Sequence, residues 1–371
     1  MLKITGWEAL SNLILFLMAV LLYKKTFKWP YTNKWGSRLM AVSFIFIIYL
    51  YSYHSKDYIG NMALVNTRGS HFEDVYIWIA DFVSGNYLLF RLIVFGTAYI
   101  LTLYSIKRLN FGFDIVYLFY LMAAVTVLSY SRFTLAQAIS FLGFLYIAKP
   151  FSPKMPSIFL GGVLIFFSIY FHRSAIIIIP IYMLSLFVKN FTKINIYISL
   201  LGLVVLMVYY YTNGLVLLTS FVNANELEEF EAYRAIGEAT NDSLGLGMIL
   251  SRVLEYTPYY LSLVLFFLVV TKHNYNKWPT SIKCVSTFFV LTVVVATFLS
   301  VQFENIRTTV LFYRVLYYST FAMAIFLAYC YKTRICQKLV KCIAIIALLA
   351  QIYTISYHTY QAFMGAYVIS Y

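Results

Sequence analysis

Charged residues are scarce in this sequence. Only 11% of its 371 residues are charged, whereas 62% are hydrophobic and 20% are aromatic. A soluble domain of this length carries about 25% charged residues, so the composition excludes a water-soluble globule. The chain is therefore predicted to be an integral membrane protein with a single transmembrane domain over residues 1–371.

Other absences narrow the fold and the chemistry. The apolar runs lack the alternating pattern of a membrane β-barrel, which leaves an all-α fold. Four cysteines occur at spacings that match no zinc site, and His54 with Asp57 would supply only two ligands, so no metal is predicted. The sequence also lacks a Gly-rich phosphate loop, a Walker motif and a Gly-x-Ser-x-Gly elbow. Nucleotide chemistry and a bound cofactor are therefore not expected.

Long apolar runs fill most of the chain. A bilayer core of about 30 Å requires roughly 20 helical residues per crossing, and flanking aromatic residues can complete the shorter runs. About twelve crossings are predicted, and the first is expected to be retained because no small-residue cleavage site follows it. Their approximate centres are 9–23, 39–53, 87–106, 115–130, 133–148, 156–171, 174–188, 194–212, 256–271, 282–301, 311–331 and 339–356.

Lysine and arginine are distributed differently along the chain. Of 17 lysines, 15 fall in alternate loops, which predicts that these loops are cytoplasmic and that both termini lie on the other side. The net charge of +14 is thus mainly a topology signal, and no basic surface with stacking aromatics indicates nucleic acid.

Most arginines and 13 of the 14 acids fall on the outer side instead. Arginine binds phosphate or carboxylate in a bidentate manner, whereas lysine is a hydrated point charge. The distribution favours an outward-facing anion site, although the same arginines could simply pair with outer acids. The arginines concerned are Arg68, Arg132, Arg173, Arg234, Arg252, Arg307 and Arg314.

Two outer loops contain amphipathic segments. The loop 54–86 has Val75, Trp78, Ile79 and Phe82 at helical spacing, and the loop 213–255 contains "NELEEFEAYRAIGE" with the same kind of pattern. Such helices can cover an active site and admit a lipid from the side, or they can pack at the membrane interface. The sequence leaves both roles open.

Three short motifs carry a family resemblance. They are "SRFTLAQA" at Arg132, "FHRSA" at His172 and "FYRVLYY" at Arg314. Together they resemble the EpsG/Wzy-like family of bacterial exopolysaccharide and O-antigen polymerases. Arg132 and Gly143 also match the eleven-residue Arg-to-Gly spacing of such polymerases, but Gly143 lies inside a predicted helix, where close helix packing is the simpler explanation.

The resemblance implies a GT-C-like glycosyltransferase membrane fold in the bacterial inner membrane, with its active site facing outward. It implies transfer of a growing glycan from polyprenyl pyrophosphate to a sugar hydroxyl of a lipid-linked repeat unit, with a chain-length regulator as a further partner. Arg132, Arg173, Arg234, Arg307 and Arg314 are then expected to bind pyrophosphate. Glycan binding is expected of Tyr58, Tyr317 and Tyr318.

The sequence leaves the identity of the general base open. An imidazole with a pKa near 6.5 suits proton removal, so His172 is the first candidate and Asp57 the second, and transfer without a protein base is a third possibility. Three other functions stay open: a glycan ligase, a flippase for the same lipid, and a membrane acyltransferase that would also use His172. A flippase would be expected to show internal repeats, and none is evident.

Overall fold

The computed structural model describes most of the second half of the chain and part of the first. The described ranges are 73–109, 116–117, 119–120, 131–150, 153–187, 246–272, 275–302 and 314–363, with residues 14, 17, 65 and 201. Within them the chain is helical and has no strand, which confirms the all-α prediction.

The helices are defined as follows: α1 Asp74–Val83, α2 Tyr87–Leu109, α3 Ser131–Ala148, α4 Lys154–Phe167, α5 Ala175–Phe187, α6 Leu246–Lys272, α7 Thr280–Gln302, α8 Thr320–Lys332 and α9 Gln337–Phe363. Four contain spans long and apolar enough to cross a membrane, in α2, α6, α7 and α9. Shorter apolar helices are α3, α8, α5 and Lys154–Tyr170, the last being α4 with a 3₁₀ turn. The protein is therefore a membrane protein.

The helices from α2 to α9 coincide with predicted crossings, whereas α1 lies in the predicted outer loop 54–86. The predicted centres 9–23, 39–53, 115–130 and 194–212 are not described as helices, because they fall largely outside the described residues. The total of twelve and the GT-C-like arrangement stay predictions. Helix α6 begins at Leu246, so residues 246–255 of the predicted outer loop are helical. The amphipathic segment earlier in that loop lies outside the described residues.

The helices run between two ends, which we name after His172 and Lys149. At the Lys149 end, Arg108 Nη2 donates a hydrogen bond of 2.5 Å to the carbonyl of Lys149. Lys149 Nζ in turn donates to the carbonyls of Arg108 and Leu109, at 3.1 and 3.0 Å. These bonds satisfy carbonyls that a helix C-terminus leaves without partners. Burial lowers the pKa of Lys149, and the positive charge of Arg108 lowers it further.

Helices α3 and α4 approach closely through glycine. A Cβ atom at Gly143 would lie 2.6 Å from the carbonyl oxygen of Gly161, and a Cβ at Gly161 would lie 2.6 Å from that of Gly143. No side chain fits there without separating the helices, which is the usual role of small residues between membrane helices. The packing role predicted for Gly143 is confirmed.

Aromatic side chains fill the core between α3, α5, α7 and α8. Tyr182 lies between Phe144 and Phe288, with stacked ring centroids 4.8 and 4.3 Å away. Phe141 contacts Phe321 of α8 edge-to-face at 4.6 Å. Offset and edge-to-face pairs of this kind stabilise a fixed helix arrangement. The core therefore holds the His172 ends of α3, α5 and α8 next to one another.

Helix α1 packs at the His172 end through a face that the sequence did not single out. Tyr76, Ala80 and Val83 are buried, whereas Trp78 and Phe82 of the predicted apolar face are 71% and 77% exposed. Tyr76 contacts Phe171 edge-to-face at 6.3 Å, next to His172. Both faces of α1 are apolar, so one packs on the protein while the other is available to lipid.

Candidate active site at the His172 end

Phe133 is the centre of a cluster of rings at the His172 end. Its ring meets that of His172 edge-to-face at 5.8 Å, that of Tyr318 at 4.6 Å and that of Tyr317 at 6.4 Å. We call these four residues the Phe133 cluster. They come from α3, from the turn before α5 and from the helical turn before α8. The segments that contain the three sequence motifs therefore meet at one place.

The turn before α5 fixes the backbone of His172. The His172 N–H donates to the carbonyl of Ser168 at 3.1 Å, and the His172 carbonyl accepts from the N–H of Ala175 at 2.9 Å. The chain reverses over these residues, so neighbouring side chains point to different sides. His172 is only 7% exposed, whereas Arg173 is exposed. Of the two polar neighbours, the histidine lies within the cluster and the arginine at its surface.

The hydrogen bonds of the imidazole define its tautomer. His172 Nδ1 accepts a hydrogen bond from the backbone N–H of Ser174 at 3.2 Å and lies 2.8 Å from the Ser174 hydroxyl. A backbone N–H can only donate, so Nδ1 presents its lone pair and the neutral ring carries its proton on Nε2. In this state Nε2 is a hydrogen-bond donor.

Two charged groups lie near Tyr318. Its ring is fully buried, its hydroxyl lies near the Ser174 side chain, and Arg314 and Glu73 are close enough for their charges to act on it. Arg314 is half-buried one helical turn before Tyr318, and Glu73 precedes α1. A cation and an anion thus reach the edge of the Phe133 cluster from different elements.

A buried carboxylate lies on the Tyr317 side of the cluster. Glu255 of α6 is 9% exposed, and its Oε1 accepts a hydrogen bond of 2.6 Å from the Tyr317 hydroxyl. Gln137 of α3 donates to the backbone carbonyl of Tyr317 at 2.7 Å, so both ends of this tyrosine are held. Nearby, Tyr259 of α6 is hydrogen-bonded to Thr320 of α8 at 2.5 Å.

Sequence reasoning missed Glu255. It assigned the residue to the end of the loop 213–255, although Glu255 directly precedes "YTPYYLSLVLFF" and lies within the candidate span Val253–Thr271. An acid within a membrane span is a signal in itself, because such acids are rare and usually functional. Gln137 and Phe133 were also missed. Both have side chains that fit an ordinary helix core, so only their neighbours distinguish them.

The remaining predicted residues are placed as follows. Arg132 lies in the first turn of α3 directly before Phe133, and only its backbone is described. Asp57, Tyr58, Arg234 and Arg307 lie outside the described residues, so their predicted roles stay predictions. Within the described ranges, no group of three or more His, Cys, Asp or Glu residues could hold a metal ion.

Comparison with known proteins gives one match. The model of the EpsG family matches residues 49–371. No curated protein and no solved structure matches the chain. The matched range includes every residue of the Phe133 cluster.

Proposed function

Because the chain belongs to the EpsG family, which is associated with exopolysaccharide polymerisation, we propose that it is a repeat-unit polymerase. It transfers a growing glycan from polyprenyl pyrophosphate to a sugar hydroxyl of a lipid-linked repeat unit. The observation that carries this proposal is the Phe133 cluster, which joins a histidine and two tyrosines, with Arg314 nearby, at one end of a membrane helix bundle.

The arginines suit the leaving group. When the glycosidic bond to pyrophosphate breaks, negative charge grows on the pyrophosphate oxygens. A fixed donor at such an oxygen in a low-dielectric site stabilises the transition state by about 3–4 kcal/mol. Arg314 at the cluster edge, Arg132 beside Phe133 and Arg173 at the surface are the candidates for this role. Arginine's planar fork fits two phosphate oxygens at once.

His172 fits the same anionic group in the tautomer that its contact with the Ser174 N–H favours. Its Nε2–H would donate a hydrogen bond to a pyrophosphate or glycan oxygen. The base role predicted from the sequence needs the opposite tautomer, in which Nδ1–H would face the N–H of Ser174 and two donors would oppose each other. Both tyrosine side chains are buried, so the glycan-binding role predicted for Tyr317 and Tyr318 stays a prediction.

The charge distribution supports an orientation for the protein. Every lysine in the described ranges lies at the Lys149 end, which supports a cytoplasmic position for that end and an outer position for the Phe133 cluster. Lipid-linked repeats exposed on the outer face of the bacterial inner membrane would then reach the cluster. A chain-length regulator would act on the same side.

The test is synthesis by the purified protein. Reconstituted in vesicles and supplied with a lipid-linked repeat, it is expected to produce a ladder of glycan lengths. A ligase would give transfer to a different acceptor without a ladder, and a flippase would form no new glycosidic bond. An acyltransferase would require an acyl donor. Absence of a ladder with several repeat units of different sugar composition would reject the proposal.

A further inference from the structure

We infer that Glu255 is the proton acceptor for the attacking sugar hydroxyl, an assignment that rests on the proposed function. A carboxylate at this depth needs a reason, because burying a charge without partners is strongly unfavourable. Glu255 has at least one fixed partner, the Tyr317 hydroxyl at 2.6 Å. A carboxylate can accept about four hydrogen bonds, so the bond from Tyr317 is compatible with a further donor such as a sugar hydroxyl.

The position of Glu255 relative to His172 also fits. The imidazole and Arg314 lie on the Tyr318 side of the Phe133 cluster, whereas the carboxylate lies on the Tyr317 side. A displacement at a sugar carbon needs positive charge or donors near the leaving pyrophosphate and an anionic base near the attacking hydroxyl. Keeping the two groups on different sides of the cluster prevents the carboxylate from repelling the pyrophosphate.

His172 is the alternative base, and its tautomer disfavours it. The lone pair of Nδ1 already faces the N–H of Ser174, and Nε2 carries the proton of the neutral ring. Glu73 is a second carboxylate near the cluster. It lies on the same side as Arg314, where it opposes the cation that would bind pyrophosphate. Of the described acidic residues near the cluster, Glu255 is therefore the better placed.

The proposed step balances as follows. The acceptor hydroxyl gives its proton to the Glu255 carboxylate, and the acceptor oxygen forms a bond to the anomeric carbon of the growing glycan. The bond from that carbon to the pyrophosphate oxygen breaks, and its electron pair stays on the oxygen. The products are the lengthened lipid-linked glycan and polyprenyl pyrophosphate. The protonated Glu255 then returns its proton to water.

Two substitutions separate a catalytic role from a structural one. Glu255→Gln keeps an oxygen that accepts the Tyr317 hydrogen bond but removes the proton acceptor, whereas Tyr317→Phe removes the hydrogen bond and keeps the carboxylate. If Glu255 is the base, Glu255→Gln is expected to lower kcat by about 10²–10⁴-fold. Tyr317→Phe, which only loosens the carboxylate, is expected to lower it less, and KM for the donor should change little in Glu255→Gln.

Purified full-length variants in vesicles, supplied with the lipid-linked repeat, provide the test. Tyr275→Phe is a matched control, because it removes a buried tyrosine hydroxyl that donates a hydrogen bond to the Lys283 carbonyl at the Lys149 end. This variant is expected to make the same ladders as the wild-type protein. Glu73→Gln removes the charge of the other carboxylate near the cluster, and it is expected to lower kcat less than Glu255→Gln.

The results distinguish the two proposals. If the wild-type protein makes ladders, two results overturn the base assignment but not the polymerase function. One is a Glu255→Gln rate near wild type. The other is a larger loss of kcat in Tyr317→Phe or Glu73→Gln than in Glu255→Gln. Failure of the wild-type protein to make ladders overturns both. Loss of kcat in well-folded Glu255→Gln, with partial activity in Glu255→Asp, supports the assignment.

Discussion

The glycine contact between α3 and α4 gives a stability prediction with its own internal control. Gly161 and Gly162 are adjacent in α4. An added Cβ at Gly161 would lie 2.6 Å from the Gly143 carbonyl oxygen and 2.6 Å from Ile147 Cγ1, whereas a Cβ at Gly162 would meet nothing within 4 Å. The same substitution to alanine should therefore have opposite effects at neighbouring positions.

The magnitude follows from the contacts. A carbon and a carbonyl oxygen normally approach to about 3.3–3.6 Å, so the helices must separate by roughly 0.7–1.0 Å to accept alanine at Gly161. Overpacking of this kind destabilises by about 1–3 kcal/mol. At Gly162 the helix gains up to about 1 kcal/mol, because alanine is a better helix former than glycine. The two variants should therefore differ by roughly 1–4 kcal/mol.

The assay is thermal unfolding of the purified proteins in one detergent. Since about 1 kcal/mol shifts the melting temperature by ~2–4 °C in a chain of 150–250 residues, Gly161→Ala should melt several degrees below Gly162→Ala. Gly143→Ala should resemble Gly161→Ala, because it meets the Gly161 carbonyl at 2.6 Å. Equal melting temperatures for Gly161→Ala and Gly162→Ala would refute the packing argument.

Three further predictions concern the site and the topology. Arg314→Lys and Arg132→Lys are each expected to lose most ladder formation while the protein still accumulates, because lysine lacks the planar fork; near-normal ladders from both would limit these residues to packing or topology. His172→Gln, which retains a donor, should keep more kcat than His172→Ala, and equal losses in the two would contradict the donor role. In a chain without native cysteines, an impermeant reagent on intact cells should label Glu229→Cys and spare Lys277→Cys; the reverse pattern would invert the orientation.

Much of the fold was predictable because the bilayer makes hydrophobic length a direct signal. The predicted crossing 174–188 corresponds to helix Ala175–Phe187, and the crossing 133–148 to Ser131–Ala148. The arginine distribution predicted that Arg173 and Arg314 lie on the same side of the membrane, and the family resemblance predicted that the His172 and Arg314 motifs share one site. The structure gives it a physical basis in the Phe133 ring contacts.

The features that were not predicted share one physical cause, because each depends on the surrounding structure and not on residue type alone. The place of Glu255 beside the Phe133 cluster is defined by Tyr317, 62 residues away, which donates a hydrogen bond to it. The donor state of His172 depends on a backbone N–H two residues later, whose direction is set by the turn and not by residue type. The buried face of α1 was ambiguous because both of its faces are apolar. A hydropathy pattern does not show the partner of Glu255, the tautomer of His172 or the buried face of α1.

The turn places the adjacent residues His172 and Arg173 of "FHRSA" in different environments, which under the proposed function would give them different tasks. If both side chains pointed inward, the guanidinium would bring an uncompensated charge into the aromatic cluster, at a large desolvation penalty. The turn instead leaves Arg173 at the surface, where it can meet a hydrated pyrophosphate, and buries the neutral ring of His172 beside Phe133. A pyrophosphate headgroup that moved inward from the surface would first replace water with the Arg173 guanidinium. It would then accept a hydrogen bond from His172 Nε2–H. The 3₁₀ turn Ser168–Tyr170 and the hydrogen bonds of His172 with Ser168 and Ser174 fix the backbone of this turn.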